Sequence, residues 1–179
     1  MSAMKILIVC VLGCAMVGLT KAAAPPGEEA KDDKTEKTDL VKRYLFCHSG
    51  WTKINGACFK YVSQHLTWAK AEKNCQTMGG HLASVESKKE YLKIQKLTSP
   101  NGYRETWIGG SDAQEENVWL WVDGEKFVYT NWCKGEPSNF RGKQHCLAMN
   151  HTVKKCWDDV ECYFHRPSIC ARRGWGLVG

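Results

Sequence analysis

The stretch TWAKAEKNCQTMGG, residues 67–80, predicts a short helix that ends abruptly. Trp68, Ala71 and Cys75 recur at helical spacing and therefore share one face. Thr67 is placed to cap the first turn, and the two glycines at the end of the stretch stop the helix.

A second amphipathic helix is predicted within SVESKKEYLKIQKL, residues 84–97. Ser87 stands three residues before Glu90, which is the spacing of a capping box. The apolar face of this helix consists of Tyr91, Ile94 and Leu97.

Short strands surround these helices. ACFKYV (57–62) alternates and is rich in aromatic and β-branched residues, which favours a strand. TWIGGSD (106–112), VWLWVDG (118–124) and FVYTNW (127–132) predict further short aromatic strands separated by Gly, Asp and Asn. Two helices followed by short strands and long loops predict an α+β domain.

The first 43 residues differ in composition from this domain. Residues 1–22 combine Lys5, an apolar run and small residues, which predicts a secretory signal peptide; the run is too short to favour a membrane span. Residues 23–43 hold five basic and six acidic side chains and almost no large apolar groups, which predicts a disordered charged tail or pro-segment. We therefore expect a secreted, extracellular protein without a membrane span.

The domain is assigned to residues 44–173, followed by a C-terminal tail at 174–179. Residues 44–179 carry 18 Lys and Arg against 13 Asp and Glu. The positive charges are scattered rather than clustered, so no nucleic-acid partner is expected.

Cysteine usage indicates a disulfide framework. Two of the ten cysteines lie in the predicted signal peptide, and an even number in a secreted chain favours four disulfides without fixing their connectivity. No CxxC or CxxC/HxxxH pattern supports zinc, and the six histidines show no ligand spacing. The remaining eight cysteines are Cys47, Cys58, Cys75, Cys133, Cys146, Cys156, Cys162 and Cys170.

The stretch GEPSNFRGKQHC, residues 135–146, is a surface loop by composition, because Gly and Pro break both regular periods. It offers Glu136, Ser138 and Gln144 as candidate ligands. Glu136 with Asp158 could also suggest the carboxylate pair of a glycosidase. Ligation explains the acids better, and no enzyme activity is expected.

The sequence resembles the C-type lectin-like domain, and within that family the secreted single-domain lectins of fish and the type II antifreeze proteins. The matching pieces occur in the family's order and span Cys47 to Cys170. The resemblance implies an α+β fold with two helices, short antiparallel sheets, long loops and about four disulfides, with the tryptophans mostly in the core. The pieces are GWTKINGACFKYV, TWAKAEKNC, GGHLASVESKKE, WIGGSD, WLWVDG, TNWCKGEPSN, CWDDVEC and SICARR.

The resemblance also implies how the cysteines pair. Cys75–Cys170 would close about 95 residues, worth roughly 4.5 kcal/mol in the chain-entropy model. The other implied pairs are Cys146–Cys162, Cys47–Cys58 and, as in the fish subgroup, Cys133–Cys156.

In sugar-binding members a calcium ion lies between a Glu-Pro-Asn or Gln-Pro-Asp loop and a Trp-Asn-Asp strand. The matching calcium ligands here are Glu136, Ser138, Gln144, Asp158 and Asp159, and three of these five depart from the common pattern. The set retains three carboxylates, and its carboxylate, amide and hydroxyl oxygens all suit calcium. Pro137 resembles the family's cis-proline.

The resemblance implies that four of these residues also bind the sugar hydroxyls. Glu136 would accept and Ser138 would donate in one pair, while Gln144 would donate and Asp158 would accept in the other. The second pair is reversed relative to the family's usual order, so Glu-Pro alone does not indicate mannose. Drift in a disused site is the alternative.

Two further features complete the expected surface. Asp112 and Glu116, with Asn139 nearby, match positions that hold an accessory calcium in some members. Asn150 begins an Asn-His-Thr glycosylation sequon.

The sequence therefore predicts a secreted lectin that binds glycans of galactose or mannose type on cell or microbial surfaces through calcium, with a role in innate recognition. The alternatives are an ice-binding protein of the type II antifreeze kind and a calcium-independent binder of a protein ligand. Ala113 and His145 stand where the antifreeze members carry a fifth bridge.

Overall fold

A computed structural model of the chain describes residues 47–173. The predicted signal peptide, charged segment and C-terminal tail lie outside these residues. The described part contains two α-helices, eight short strands and single 3-10 turns at Ser99–Asn101 and Phe140–Gly142. In chain order the elements are β1 Thr52–Ile54, β2 Ala57–Leu66, α1 Trp68–Thr77, β3 His81–Leu82, α2 Lys88–Leu97, β4 Thr106–Ser111, β5 Leu120–Trp121, β6 Cys146–His151, β7 Cys156–Val160 and β8 Arg166–Arg172.

The strands form one sheet in the order β1-β2-β8-β4-β6-β7, with β3 added to β8 and β5 added to β4. Every pair is antiparallel except β4 with β8, which run parallel where Trp107 lies opposite Ser168. The expected antiparallel pairing is confirmed for the remaining pairs. The last strand of the described residues, β8, therefore lies in the middle of the sheet, next to β2.

Both predicted helices are confirmed, but their caps differ from expectation. Thr67 occupies the cap position of α1 without a side-chain cap hydrogen bond, and Gly79 ends the helix with φ of +76°. Ser87 Oγ accepts from the Glu90 N–H, as a capping box requires. The Glu90 carboxylate completes a different contact, because it accepts from the Glu86 N–H and pairs with Arg173. The capping box is therefore only half formed.

The double glycine of β4 is required by close packing. A Cβ on Gly109 would lie 2.6 Å from the carbonyl oxygen of Leu82, and one on Gly110 would lie 2.7 Å from Leu147 Cδ1. Interiors are packed at crystal-like density, so neither neighbour has space to yield. The absence of side chains at both positions lets the Leu82 carbonyl and the Leu147 side chain pack directly against β4.

The segment FVYTNW is not a strand, which corrects the prediction. Its residues are irregular apart from a single bridge between Trp132 and Trp157. Phe127, Tyr129 and Trp132 all contact the ring of Trp157, with centroid separations of 5.5–6.3 Å. A strand would turn Trp132 to the opposite face from Phe127 and Tyr129, so packing around one buried tryptophan overrides the strand propensity.

The core confirms the expected role of most tryptophans. Trp107, Trp121 and Trp157 are at most 4% exposed. All four implied disulfides form: Cys47–Cys58, Cys75–Cys170, Cys133–Cys156 and Cys146–Cys162.

Candidate functional site

Three carboxylates from two segments meet beside the loop that follows Cys133. Glu136, Asp158 and Asp159 each offer an oxygen, and these atoms lie within 4.8 Å of one another. Glu136 precedes a cis peptide bond to Pro137, as the resemblance implies. The two aspartates belong to β7, so the cluster joins the loop to the edge of the sheet.

The loop is held against β7 by its backbone. The Cys133 N–H donates to the Trp157 carbonyl over 2.9 Å, and the Trp157 N–H donates to the Asn131 carbonyl over 2.8 Å. The Cys133–Cys156 disulfide closes the same junction. The start of the loop and the strand that supplies two of the acids are therefore fixed relative to each other.

Asp159 organises the loop directly. Its side chain is fully buried, and its two oxygens accept from the N–H groups of Ser138 and Asn139 at 2.8 and 2.6 Å. A carboxylate oxygen has a second lone pair, so these bonds leave Asp159 able to bind a cation as well.

Negative charge in the cluster is under-compensated. Glu136 Oε2 is buried and has no hydrogen-bond partner among residues 47–173. Burial, followed by the charges of Glu136 and Asp159, raises the pKa of Asp158 to about 6, although nearby His151 opposes the shift. No Lys or Arg within residues 47–173 forms an ion pair with these three acids. A cation would relieve this repulsion.

Ser138 and Gln144 bond to each other across the loop. The exposed Ser138 hydroxyl donates to Gln144 Oε1 over 3.2 Å, and the same oxygen accepts from the Phe140 N–H over 2.5 Å. The Ser138 hydroxyl was expected to donate its proton to a sugar, but in this structure it donates that proton to Gln144. The Gln144 amide nitrogen has no partner among the described residues, which leaves it available as the donor that the sequence predicts.

Glu105 and His151 adjoin the site, and sequence reasoning missed both. His151 Nδ1 lies 2.7 Å from Glu105 Oε1 and 3.3 Å from Asp158 Oδ2. Arg166 pairs with the other oxygen of Glu105 at 2.6 Å. Burial lowers the pKa of His151, but the Glu105 hydrogen bond and the surrounding carboxylates outweigh it and raise the pKa.

The predicted accessory residues also come together, with a histidine that was not predicted. Asp112, Glu116 and His145 offer ligand atoms within 4.8 Å of one another, and the Asn139 amide donates to Glu116 over 2.5 Å. The six histidines show no ligand spacing along the sequence, and the structure places His145 and His151 each beside two carboxylates. In the sequence, His145 was marked only by its position before Cys146, and His151 only by its position near the β6–β7 turn. The acids that face them come from distant segments, so no local motif joins them.

The Asn150 sequon does not present a glycan site in this fold. Asn150 is 4% exposed, and the side-chain nitrogen that would carry the glycan donates to Thr98 Oγ1 and to the Arg104 carbonyl. A glycan there would break both bonds and displace the core, so the predicted modification is corrected.

A further cavity lies elsewhere on the described domain. It has a volume of about 530 Å³, is open and polar, and contains none of the predicted ligands. Its lining consists of Tyr61, Ser63, His65, Pro100, Asn101, Gly102 and Arg104.

Comparison with known proteins places this geometry in a family. The profile of the Lectin C-type domain matches residues 64–172. Ladderlectin of Oncorhynchus mykiss is 33% identical over 178 residues, with 92% of each chain covered. The galactose-specific lectin nattectin of Thalassophryne nattereri is 38% identical over 130 residues, covering 70% of this chain and 80% of nattectin.

Ice-structuring proteins match equally well. The type-2 ice-structuring protein of Osmerus mordax is 35% identical over 167 residues, covering 93% of this chain and 92% of that protein. The structure of the herring type II antifreeze protein superposes with a TM-score of 0.68 at 35% identity, covering 72% of this chain and 99% of that one. Within residues 47–173, no helix has the length and apolar character needed to cross a membrane. The chain belongs to the C-type lectin domain family.

Proposed function

We propose that the protein is a secreted lectin that binds glycans through a calcium ion held by the loop 136–144 and β7. Glu136, Asp158 and Asp159 would hold the ion, with Ser138 and Gln144 at its edge. The observation that carries the proposal is the buried, unpartnered oxygen of Glu136 beside two aspartates. Calcium, when bound, would supply coordination positions for sugar hydroxyls.

The donor set fits a hard cation. Calcium takes six to eight oxygen ligands from carboxylates, amides and carbonyls. The cluster offers oxygen atoms only, and its carboxylates carry no lysine or arginine partner among the described residues. Protonation is the other way to relieve the repulsion, and burial with the neighbouring carboxylates raises the pKa of Asp158 in that direction.

The sugar is of galactose or mannose type, and two features favour galactose. Ser138 already donates its proton to Gln144, so the mannose-type pairing of Glu136 with Ser138 lacks a free donor. The similarity to nattectin, a galactose-specific lectin, supports the same direction. In the second expected pair, the Gln144 amide remains as the donor and Asp158 as the acceptor.

The predicted signal peptide and the four disulfides support secretion, since disulfides persist in oxidising compartments. The partners would be glycans on cell or microbial surfaces, and the role would be innate recognition.

Calcium titration of the secreted protein tests the proposal. The melting temperature should rise with calcium, because a ligand of the native state stabilises it by about 2.7 kcal/mol at 100 times its dissociation constant. Glu136→Gln should abolish the rise, while Glu115→Gln, which removes the same charge from an exposed turn, should retain it. A glycan array with and without chelator then identifies the sugar.

An unchanged melting temperature at about 10 mM calcium, well above the range of the weakest extracellular sites, would contradict the proposal. Binding of a galactose- or mannose-type glycan that survives the chelator would show that the lectin does not need calcium, and the proposal would lose its calcium ion. Binding of a protein but of no glycan would favour the third function, a calcium-independent protein binder on the same scaffold.

Ice binding is the second candidate, because the similarity to type-2 ice-structuring proteins covers 93% of the chain. The site argues against it. The resemblance places the two positions of the fifth bridge at Ala113 and His145. His145 is instead part of a carboxylate cluster that adjoins Ala113.

A further inference from the structure

The open cavity beside the end of α2 presents hydrogen-bond donors and no carboxylate. Part of its lining comes from β2, and part comes from the turn that follows α2 and leads to Arg104. A guanidinium, an imidazole, two hydroxyls and an amide thus surround one volume of about 530 Å³. Pockets for small ligands have volumes of about 300–1,000 Å³, so the cavity is large enough to hold one group of a ligand.

Arg104 supplies the permanent positive charge of the lining. Within residues 47–173 no carboxylate forms an ion pair with it, and the adjoining Glu105 pairs with Arg166 at 2.6 Å instead. The Arg104 backbone is fixed, because its carbonyl accepts from Thr106 Oγ1 over 2.7 Å and from the Asn150 amide over 3.1 Å. A guanidinium on a fixed backbone can hold an anion through two parallel N–H bonds.

The β2 part of the lining adds neutral donors. Burial raises the pKa of Tyr61, although the charge of nearby Arg104 opposes the shift, so the hydroxyl keeps its proton at neutral pH. Ser63 and His65 follow at every second position, as side chains on one face of a strand do. None of these three side chains has a hydrogen-bond partner in the part of the chain that the structure describes. Their donors are therefore available to a ligand.

The exposed face of α2 carries positive charge toward this cavity. Apart from Leu92, every exposed residue of the helix is a lysine, and no acid within residues 47–173 forms an ion pair with these lysines. Ser99 Oγ donates to the Lys96 carbonyl over 2.8 Å, which ties the last turn to the segment that lines the cavity. The stripe is about 12 Å long at 1.5 Å per residue. It consists of Lys88, Lys89, Lys93 and Lys96.

We propose that the cavity and the lysine stripe of α2 together bind a sulfated polysaccharide, with one sulfate against Arg104 and further sulfates along the helix. A sulfate ester stays negatively charged at physiological pH and offers several acceptor oxygens, which suits a guanidinium beside neutral donors. A linear chain with repeated charges can follow the stripe while one group enters the cavity. The site shares no residue with the proposed calcium site and needs no metal.

Two other polyanions fit this surface less well. An anionic membrane favours large apolar side chains beside the basic ones, and Leu92 is the only large apolar residue that the described α2 exposes. Single-stranded nucleic acid favours exposed aromatic rings for stacking, and the one Phe, Tyr or Trp of the cavity lining, Tyr61, is half-buried. A sulfated polysaccharide needs neither feature, and it is an extracellular polymer, in keeping with the predicted secretion.

Calorimetric titration of the full-length secreted chain with a heparin octasaccharide, in chelator and about 150 mM NaCl, tests the inference. We expect binding whose constant falls as salt increases. Arg104→Gln should weaken this binding by about tenfold or more, because it removes a charged hydrogen bond. Arg141→Gln removes the same charge from the exposed loop before β6 and should change the binding by less than about twofold.

Lys96→Gln is a second variant on the helix surface, and it should reduce the slope of the logarithm of the binding constant against the logarithm of salt by about one. Heparin stripped of its sulfates keeps its carboxylates and should bind at least about tenfold more weakly. Equal binding of the two polymers, equal effects of Arg104→Gln and Arg141→Gln, or no binding would overturn the inference. Tighter binding to phosphatidylserine vesicles than to heparin, weakened by Arg104→Gln, would replace the polysaccharide by a membrane and overturn it as well.

A glycan array separates this site from the proposed calcium site. Binding here should survive the chelator, be confined to sulfated glycans, and fall with Arg104→Gln. Binding of galactose- or mannose-type glycans at the calcium site should be lost with the chelator and with Glu136→Gln. Sulfated-glycan binding that is lost in Glu136→Gln would belong to the calcium site and contradict the inference, whereas a missing calcium response alone would leave it intact.

Discussion

Two clusters in this domain contain a histidine between two carboxylates, yet they differ in what neutralises them. Glu105 and Asp158 flank His151, and Arg166 pairs with Glu105 at 2.6 Å. Asp112 and Glu116 flank His145, and no arginine within residues 47–173 pairs with either acid. The same residue types therefore form an ion-pair network in one place and a candidate metal site in the other, and the fourth residue makes the difference.

Asp158 gives the first cluster a second role. It faces His151 on one side and Glu136 with Asp159 on the other. The arginine-balanced network thus borders the proposed calcium site, where the pKa values of both His151 and Asp158 are raised. In the part of the chain that the structure describes, the cluster around His145 has no such link to an arginine.

The largest effect is expected when the balancing arginine is removed. Arg166→Gln breaks the pair with Glu105 and the stacking of the guanidinium over Trp107, 5.1 Å from the ring centroid. Because both partners are partly buried, the free energy of unfolding should fall by about 1–2 kcal/mol. Urea denaturation measures the change.

Lys154→Gln is the matched control, since it removes a positive charge from the exposed β6–β7 turn. Its effect should stay within about 0.5 kcal/mol. Equal effects of the two substitutions would mean that Arg166 does not balance the cluster, and the comparison between the clusters would lose its basis.

A smaller effect is expected from pH in the presence of a chelator. Asp158 titrates near 6 in the folded protein and near 3.8 unfolded, so the folded state holds more protons between these values and gains stability as pH falls through 6. The raised pKa of His151 acts in the same direction, because its stabilising charge is present below 6.5 and is lost as pH rises through the folded value.

Asp158 and His151 should therefore make the melting temperature of the metal-free protein higher at about pH 5.5 than at about pH 7.5. Asp158→Asn should reduce the difference, whereas Glu115→Gln should preserve it. A pH dependence that is identical in all three proteins would show that Asp158 carries no unusual proton.

No effect at all is expected in the third experiment, on ice. His145 belongs to a charged cluster where ice-binding relatives are expected to carry a fifth bridge, and the exposed Arg141 and Lys143 add strongly hydrated charge to the adjoining loop. We expect no thermal hysteresis and no faceted ice crystals. Shaped crystals at micromolar protein would reverse the assignment and make the loop an ice-binding face.

The local sequence determined the helices and the family. Helical spacing predicted α1 and α2 because their contacts are mostly a few residues apart, and the Ser87 cap is a local bond. The double glycine of WIGG was visible in the sequence, although only the packing of Leu82 and Leu147 explains it. The four disulfides followed from the resemblance.

Tertiary structure decided what the sequence pattern could not. The propensity of FVYTNW favours a strand, but contact with the distant Trp157 prevents one. Asn150 has a complete sequon, but Thr98 and Arg104 bury the nitrogen that a glycan needs.

The site shows the same division. The resemblance to the family supplied Glu136, Asp158 and Asp159 as candidate ligands, since the loop and strand pieces occur in the family's order. It did not supply Glu105 beside His151 or Asp112 beside His145, which lie 46 and 33 residues apart. Such pairs form only when β4 aligns with β6, so register across the sheet, rather than spacing along the chain, determined which charges meet.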